Sequence, residues 1–194
     1  YILGNTYHNL RKLQSAHGGY DTGSISYDGV YEKDITLAIT QKTGELLQKA
    51  GYSVVYTRID DEVSWSDDNK DDLRTRVAIA EEAAADYYIS IHTNASTYGD
   101  GASGFEAYLN YENETIAAMA SSIESNLMEL QYTQSRGLKS TEDTSLYVID
   151  SNSVPAMLLE LGFITDSADA AYMSSEDGQN AIAQSIAQGI MEHL

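Results

Sequence analysis

Apolar positions change their period several times along the chain, and each change marks an element. In residues 33–50, Ile35, Ile39, Leu46, Leu47 and Ala50 fall near a period of about 3.6 residues, and Gly51 follows where a helix would stop. The next stretch, "YSVVYT", is rich in β-branched and aromatic side chains and predicts a strand. Leu73, Val77, Ala80 and Ala84 return to helical spacing, after which "DYYISIH", residues 86–92, alternates as a strand does. "SGFEAYLN" predicts a further strand, and Ile116, Met119, Ile123, Leu127 and Leu130 mark a helix. "SLYVI" and "PAMLLEL" then read as strands, and residues 177–194 as a closing helix. Strand and helix in alternation imply an α/β fold with a largely parallel sheet covered by helices on both faces. The expectation is one domain over residues 1–194 with a twisted, mostly parallel sheet of about five to six strands. In such sheets ligands bind beyond the carboxyl ends of the strands.

Composition narrows what this fold can do. A chain of 194 residues suffices for one well-cored domain, and no Pro/Ser-rich linker divides it. The absence of cysteine excludes disulfides, thiolate metal ligands and a cysteine nucleophile. Apolar runs such as "AMLLEL" are far too short to span a bilayer, and nothing resembles a signal peptide. Because the chain opens on Tyr1, a targeting segment removed from it or lying outside it is expected. The formal charge of −19, from 30 acidic and 11 basic residues, argues against nucleic acid or an anionic membrane as partner. Acids concentrate in "RIDDEVSWSDDNKDDLRTR", residues 58–76, which reads as a solvated loop. A calcium site is the sharper alternative, but the Gly and terminal Glu of an EF-hand loop are lacking.

Four residues stand where chemistry is expected. His17 precedes two glycines in "SAHGGYDTGS", a setting that suits a ligand loop and equally an ordinary turn. Glu32 opens a helix, where an acid also complements the helix dipole. His92 ends "YYISIH", where, taken alone, it reads first as a hydrogen-bonded structural histidine. Glu160 interrupts "MLLELGF", a run apolar on both faces, so its carboxylate must be hydrogen-bonded, paired, metal-associated or protonated. Two imidazoles and a carboxylate are the protein ligands of many catalytic zinc sites, and a buried carboxylate suits a general base. His8, in "TYHNL", has no motif around it and is expected at the surface. Arg58 and Arg76 are expected as structural partners of nearby acids, and Asn94 as a residue holding the loop after His92.

The segments "HGGYDTG", "YEKDITLAI", "VVYTRIDD", "LRTRVAIAEEAAADYYISIHTNAS", "GFEAYL", "RGLKS" and "VPAMLLELGFITDSADAAYM" occur in this order. Together they resemble the zinc-dependent N-acetylmuramoyl-L-alanine amidases of bacterial cell-wall turnover, amidase family 3, from about His17 to the C-terminus. The resemblance implies a Zn2+ ion held by His17, Glu32 and His92, with Glu160 as the catalytic glutamate. It also implies a peptidoglycan substrate, an extracellular or wall-associated site of action, and wall-anchoring domains that would lie outside this chain. One departure stands out in residues 1–16. The family approaches its first histidine through an apolar strand ending in an Asp-Pro-Gly-like or Asp-Ala-Gly-like triplet, whereas here Gln14, Ser15 and Ala16 take those places. The approach "NLRKLQSAH" is neither strongly apolar nor alternating, so the pattern gives a first strand no support. If the missing aspartate normally supports the site, metal affinity or geometry is expected to suffer. The competing readings are another zinc peptidase or carboxypeptidase on a related sheet, and a non-catalytic wall-binding relic.

Overall fold

The computed structural model describes residues 10–65, 68–97 and 101–194, and His8 lies outside them. Six strands form one sheet among the described residues: β1 (Leu10–Ser15), β2 (Ser53–Tyr56), β3 (Tyr87–Asn94), β4 (Phe105–Leu109), β5 (Ser135–Ser140) and β6 (Ala156–Phe163). Their order is β2-β1-β3-β6-β4-β5. β2, β1, β3 and β6 are mutually parallel, whereas β4 is antiparallel to β6 and parallel to β5. The helices are α1 (Glu32–Lys49), α2 (Asn69–Glu82), α3 (Glu114–Glu129), α4 (Tyr147–Asp150), α5 (Ser167–Ser174) and α6 (Glu176–Met191).

Alternation along the central strands splits the interior into two cores. Ile89, Ile91, Met157, Leu159 and Leu161 join Leu13 and the apolar stripes of α1, α3 and α6 in the larger core. On the opposite face Tyr88, Ala156 and Leu158 pack with Val77 and Ala80 of α2 and with Val148 and Ile149 of α4. His92 and Glu160 continue the second set, so the carboxyl ends of β3 and β6 turn polar groups toward the α2/α4 side.

β1 is present and central, contrary to the expectation from its pattern. Its second-face residues are polar yet buried because partners await them. Lys12 Nζ donates to the Arg76 carbonyl at 2.9 Å and stands 5.6 Å from the centroid of the Tyr88 ring. Gln14 Oε1 accepts from the Ser90 and Tyr88 hydroxyls, while its Nε2 donates to the Ser15 carbonyl at 2.8 Å. The "SLYVI" strand is corrected to the single turn α4. Asp150 accepts from Ser145 Oγ at 2.6 Å and Leu146 N–H at 2.8 Å, closing the turn, and the adjacent Val148 and Ile149 both pack into the same core, whereas neighbours in a strand point to opposite faces. "RGLKS" forms the edge strand β5, and α5 starts where Asp166 caps the N–H groups of Ala168 and Asp169.

Candidate active site

The His17 loop leaves β1 through backbone conformations that few residues adopt. His17 has φ 54°, and Gly18, Gly19 and Gly23 also have positive φ. Gly18 and Asp21 exchange backbone hydrogen bonds of 2.9 and 3.1 Å. A Cβ at residue 23 would stand 2.6 Å from His17 Cδ2 and 2.7 Å from Glu32 Oε2, so glycine is required against the site itself. The base of the loop is held by two buried arginines. Arg58 donates to the carbonyls of Ala16 and Lys33 at 2.9 and 2.7 Å; Arg76 donates to those of Ser15 and His17 at 2.8 and 2.7 Å and pairs with Asp72 at 2.8 Å. Both are structural, as expected, but only Arg76 pairs with an acid; the hydrogen bonds of Arg58 go to backbone carbonyls, including that of Asp60 at 3.0 Å.

The acidic run is likewise partly structural: Asp61 pairs with Lys33 at 2.6 Å and accepts from Gly19 N–H at 3.0 Å, and Asp68 caps α2. Asn94 Oδ1 accepts from Ala95 N–H at 2.8 Å, which fits its assignment to the loop.

Glu32 is the first residue of α1, and its side chain turns inward rather than merely facing the helix dipole. Oε2 lies 3.2 Å from His17 Nε2 and accepts from Ser24 N–H at 3.0 Å. Oε1 lies 3.3 Å from His92 Nδ1 and accepts from Thr93 N–H at 3.0 Å. The His17 and His92 rings meet edge to face, with centroids 5.4 Å apart. One ligand atom from each of the three residues lies within 4.8 Å of the others, and this group could hold a metal ion. Asp21 Oδ2, 2.6 Å from His17 Nδ1, completes the arrangement. A carboxylate accepting from Nδ1–H leaves Nε2 as the free lone pair, as ligation requires. The donor set therefore fits a catalytic metal of borderline softness.

Electrostatics within the group are strongly coupled. Burial works against a charged His17, but hydrogen bonds and charge from Glu32 and Asp21 outweigh it and raise the pKa to about 9. Burial lowers that of His92. Glu32 resists burial through His17 and His92, which hold it well below the usual carboxylate range. The negative field that keeps a proton on His17 is the field a metal cation would neutralise.

Glu160 faces His92 in the β3–β6 register and Glu106 in the β6–β4 register. Its Oε2 is buried and has no hydrogen-bond partner. Burial, followed by the charges of Glu32 and Glu106, pushes its pKa up to about 8. Glu106, in contrast, is gripped by Arg136, by Lys139 at 2.7 Å and by the Tyr108 hydroxyl at 2.9 Å. Beside His92 a cavity of about 280 Å³ opens between α2 and α4, lined among others by Leu73, Arg76, Leu146, Val148 and Leu158.

The family described as N-acetylmuramoyl-L-alanine amidase matches residues 13–192. The chain belongs to this family. An uncharacterised Bacillus subtilis protein, YqiI, is 38% identical over 92% of this chain and 81% of its own length. The germination-specific N-acetylmuramoyl-L-alanine amidase of the same organism is 29% identical over 94% of this chain and 78% of its own length. Among solved structures, the CwlD amidase of Clostridioides difficile, seen in complex with the GerS lipoprotein, superposes with a TM-score of 0.87 at 28% identity, covering 96% of this chain and 98% of that one. In this amidase the altered triplet does not leave the first histidine unsupported. Gln14 bonds to β3, and the carboxylate behind His17 comes from Asp21, four residues after it. The sequence pattern gives Asp21 no role of its own; its place in "HGGYDTG", four residues after the histidine, is the signal available.

Proposed function

We propose that this amidase hydrolyses the amide joining the lactyl group of N-acetylmuramic acid to L-alanine, with one zinc ion held by His17, Glu32 and His92 and with Glu160 as general base. The observation that carries this reading is an orphaned, buried carboxylate oxygen on Glu160, in register with His92, beside a two-imidazole, one-carboxylate group. Zinc held by these residues would lower the pKa of a water and polarise an amide carbonyl. Glu160 takes the proton of the attacking water on Oε2 and returns it to the leaving amine. Asp21 keeps His17 in the tautomer that presents Nε2. Such an enzyme acts on the wall outside the membrane. No helix among the described residues is long and apolar enough to cross one.

Purified protein incubated with defined muropeptides tests the reading. Release of intact stem peptides with a free L-alanine amine, abolished by a chelator and restored by zinc, is expected. Loss of a terminal amino acid instead would make the enzyme a carboxypeptidase. Glycan retention without cleavage would make the chain a binding module.

A further inference from the structure

We propose that Arg136 and Lys139 form a subsite for a carboxylate of the stem peptide, so that the peptide half of the substrate lies over β4 and β5. The proposal rests on the amidase reading above. His92, Glu160 and Glu106 occupy one row across β3, β6 and β4 as direct register partners. Adjacent strands are about 4.8 Å apart, which puts β5 about 10 Å from Glu160 along that row. In β5 the register slips where Phe105 pairs with Ser135 and Ala107 with Leu138, and Arg136 stands in this bulge.

Both cations reach back over the row to Glu106, Arg136 through Nε and Lys139 through Nζ. The Glu106 side chain is 3% exposed, so one cation is needed to compensate its charge, and the second is a surplus. Their own side chains are 40% and 35% exposed. The Arg136 guanidinium also stands 5.1 Å from the Phe163 ring centroid, and its two terminal nitrogens have no hydrogen-bond partner among the described residues. A guanidinium fixed through Nε, with its terminal pair free, is preorganised for a carboxylate. In a chain of charge −19, two half-exposed cations on the one carboxylate of Glu106, the register partner of Glu160, are a local excess of positive charge.

The cavity between α2 and α4 offers a carboxylate no such partner. Leu73, Leu146, Val148 and Leu158 share its walls with Asp21 and Asp72, and its one guanidinium, Arg76, is engaged by Asp72 and by two backbone carbonyls. The scissile amide joins two unlike halves: an acyl half on an uncharged sugar bearing methyl groups, and an amine half that is a carboxylate-bearing peptide. Matching character to character places the peptide on the β5 side. An extended peptide advances about 3.3 to 3.6 Å per residue, so a carboxylate one or two residues past the cleaved bond meets the Arg136 head.

Two muramyl dipeptides, identical except that the second residue carries a free carboxylate or its carboxamide, test this. The parent enzyme should favour the carboxylate by roughly ten- to hundredfold in kcat/KM, mainly through KM. Arg136→Gln and Lys139→Gln, each of which leaves Glu106 one cation, should reduce that preference, with melting curves confirming that they fold. Calorimetric binding of the free L-alanyl dipeptide in the same two forms gives a readout independent of turnover. Cleavage with equal KM for both forms, or a preference unchanged in both variants, overturns the subsite and leaves the amidase reading standing. A dipeptide preference that Arg136→Gln abolishes, with neither muramyl dipeptide cleaved, upholds the carboxylate site and overturns the amidase reading. Absence of both overturns both.

Discussion

Glu32, Glu106 and Glu160 stand close together, yet their neighbours hold them in different states. Burial works against ionisation of Glu32, but His17 and His92 override it, and Lys139 and Arg136 do the same for Glu106. Glu160 has burial and two like charges against it and no donor to offset them. Of the three, only Glu160 has its pKa raised toward neutrality, as the proposed general base requires. Glu160→Gln keeps size and polarity but accepts no proton, so hydrolysis should fall by about 10² to 10⁴ with zinc still bound and the melting temperature retained. A destabilised but fully active Gln variant would instead mark Glu160 as structural. Gly23 makes the complementary point about space. Gly23→Ala forces a Cβ within 2.6 Å of His17 and 2.7 Å of Glu32 at φ 62°, so it should both weaken metal binding and lower stability by about 1 kcal/mol or more. Equilibrium dialysis against zinc and thermal melts of metal-free protein separate the two effects.

At the scale of elements, β1 is the one central piece that its pattern hides, and Lys12 shows why. Burial, then the nearby Arg76, holds its pKa down at about 7 against an ordinary 10.5. Below about pH 7 both folded and unfolded chains carry the charge, and the full cost of burying it is present. Between about pH 7 and 10.5 the unfolded chain binds more protons, so stability rises with pH through this window. Lys12→Met lacks this rise. Its stability relative to the parent, read from melts of metal-free protein, should be greatest below about pH 7 and shrink steadily toward about pH 10. A difference independent of pH would mean that Lys12 titrates normally. The helices α1, α2, α3 and α6 and the strands β2, β3, β4 and β6 are legible in the sequence because each buries a face of its own period. β1 is not, since its buried polar side chains find partners on Arg76, Tyr88 and Ser90 that no local pattern announces. α4 is not either, because "SLYVI" is too short for its period to separate strand from helix. For the candidate site, motif context picks out His17, Glu32, His92 and Glu160. The roles of Asp21, Glu106 and Arg136 depend on a turn and a sheet register visible only once the chain is folded.

For the whole molecule, the sign of the charge constrains how the wall can be approached. With 30 acids against 11 bases, and with Arg58, Arg76 and Lys33 engaged inside the fold, few cations remain free to bind a polyanion. Arg136 and Lys139 are an island beside the reacting centre. At ionic strengths near 0.1 M, fields are screened beyond about 10 Å, so this pair acts only on a ligand in the cleft and leaves unchanged the repulsion that the acidic remainder of the surface exerts on an anionic polymer lying against it. Retention of this chain on walls that bear teichoic acid should therefore be weak at low salt. It should hold steady or increase as salt screens the repulsion, and removal of the anionic polymer should not diminish it. Cation-driven attachment has the opposite signature: tight binding at low salt that falls steeply as salt rises. Pelleting assays on intact and polymer-stripped walls across a salt series distinguish the two, and a steep loss on intact walls alone would show that the surface carries a basic face which the net charge conceals.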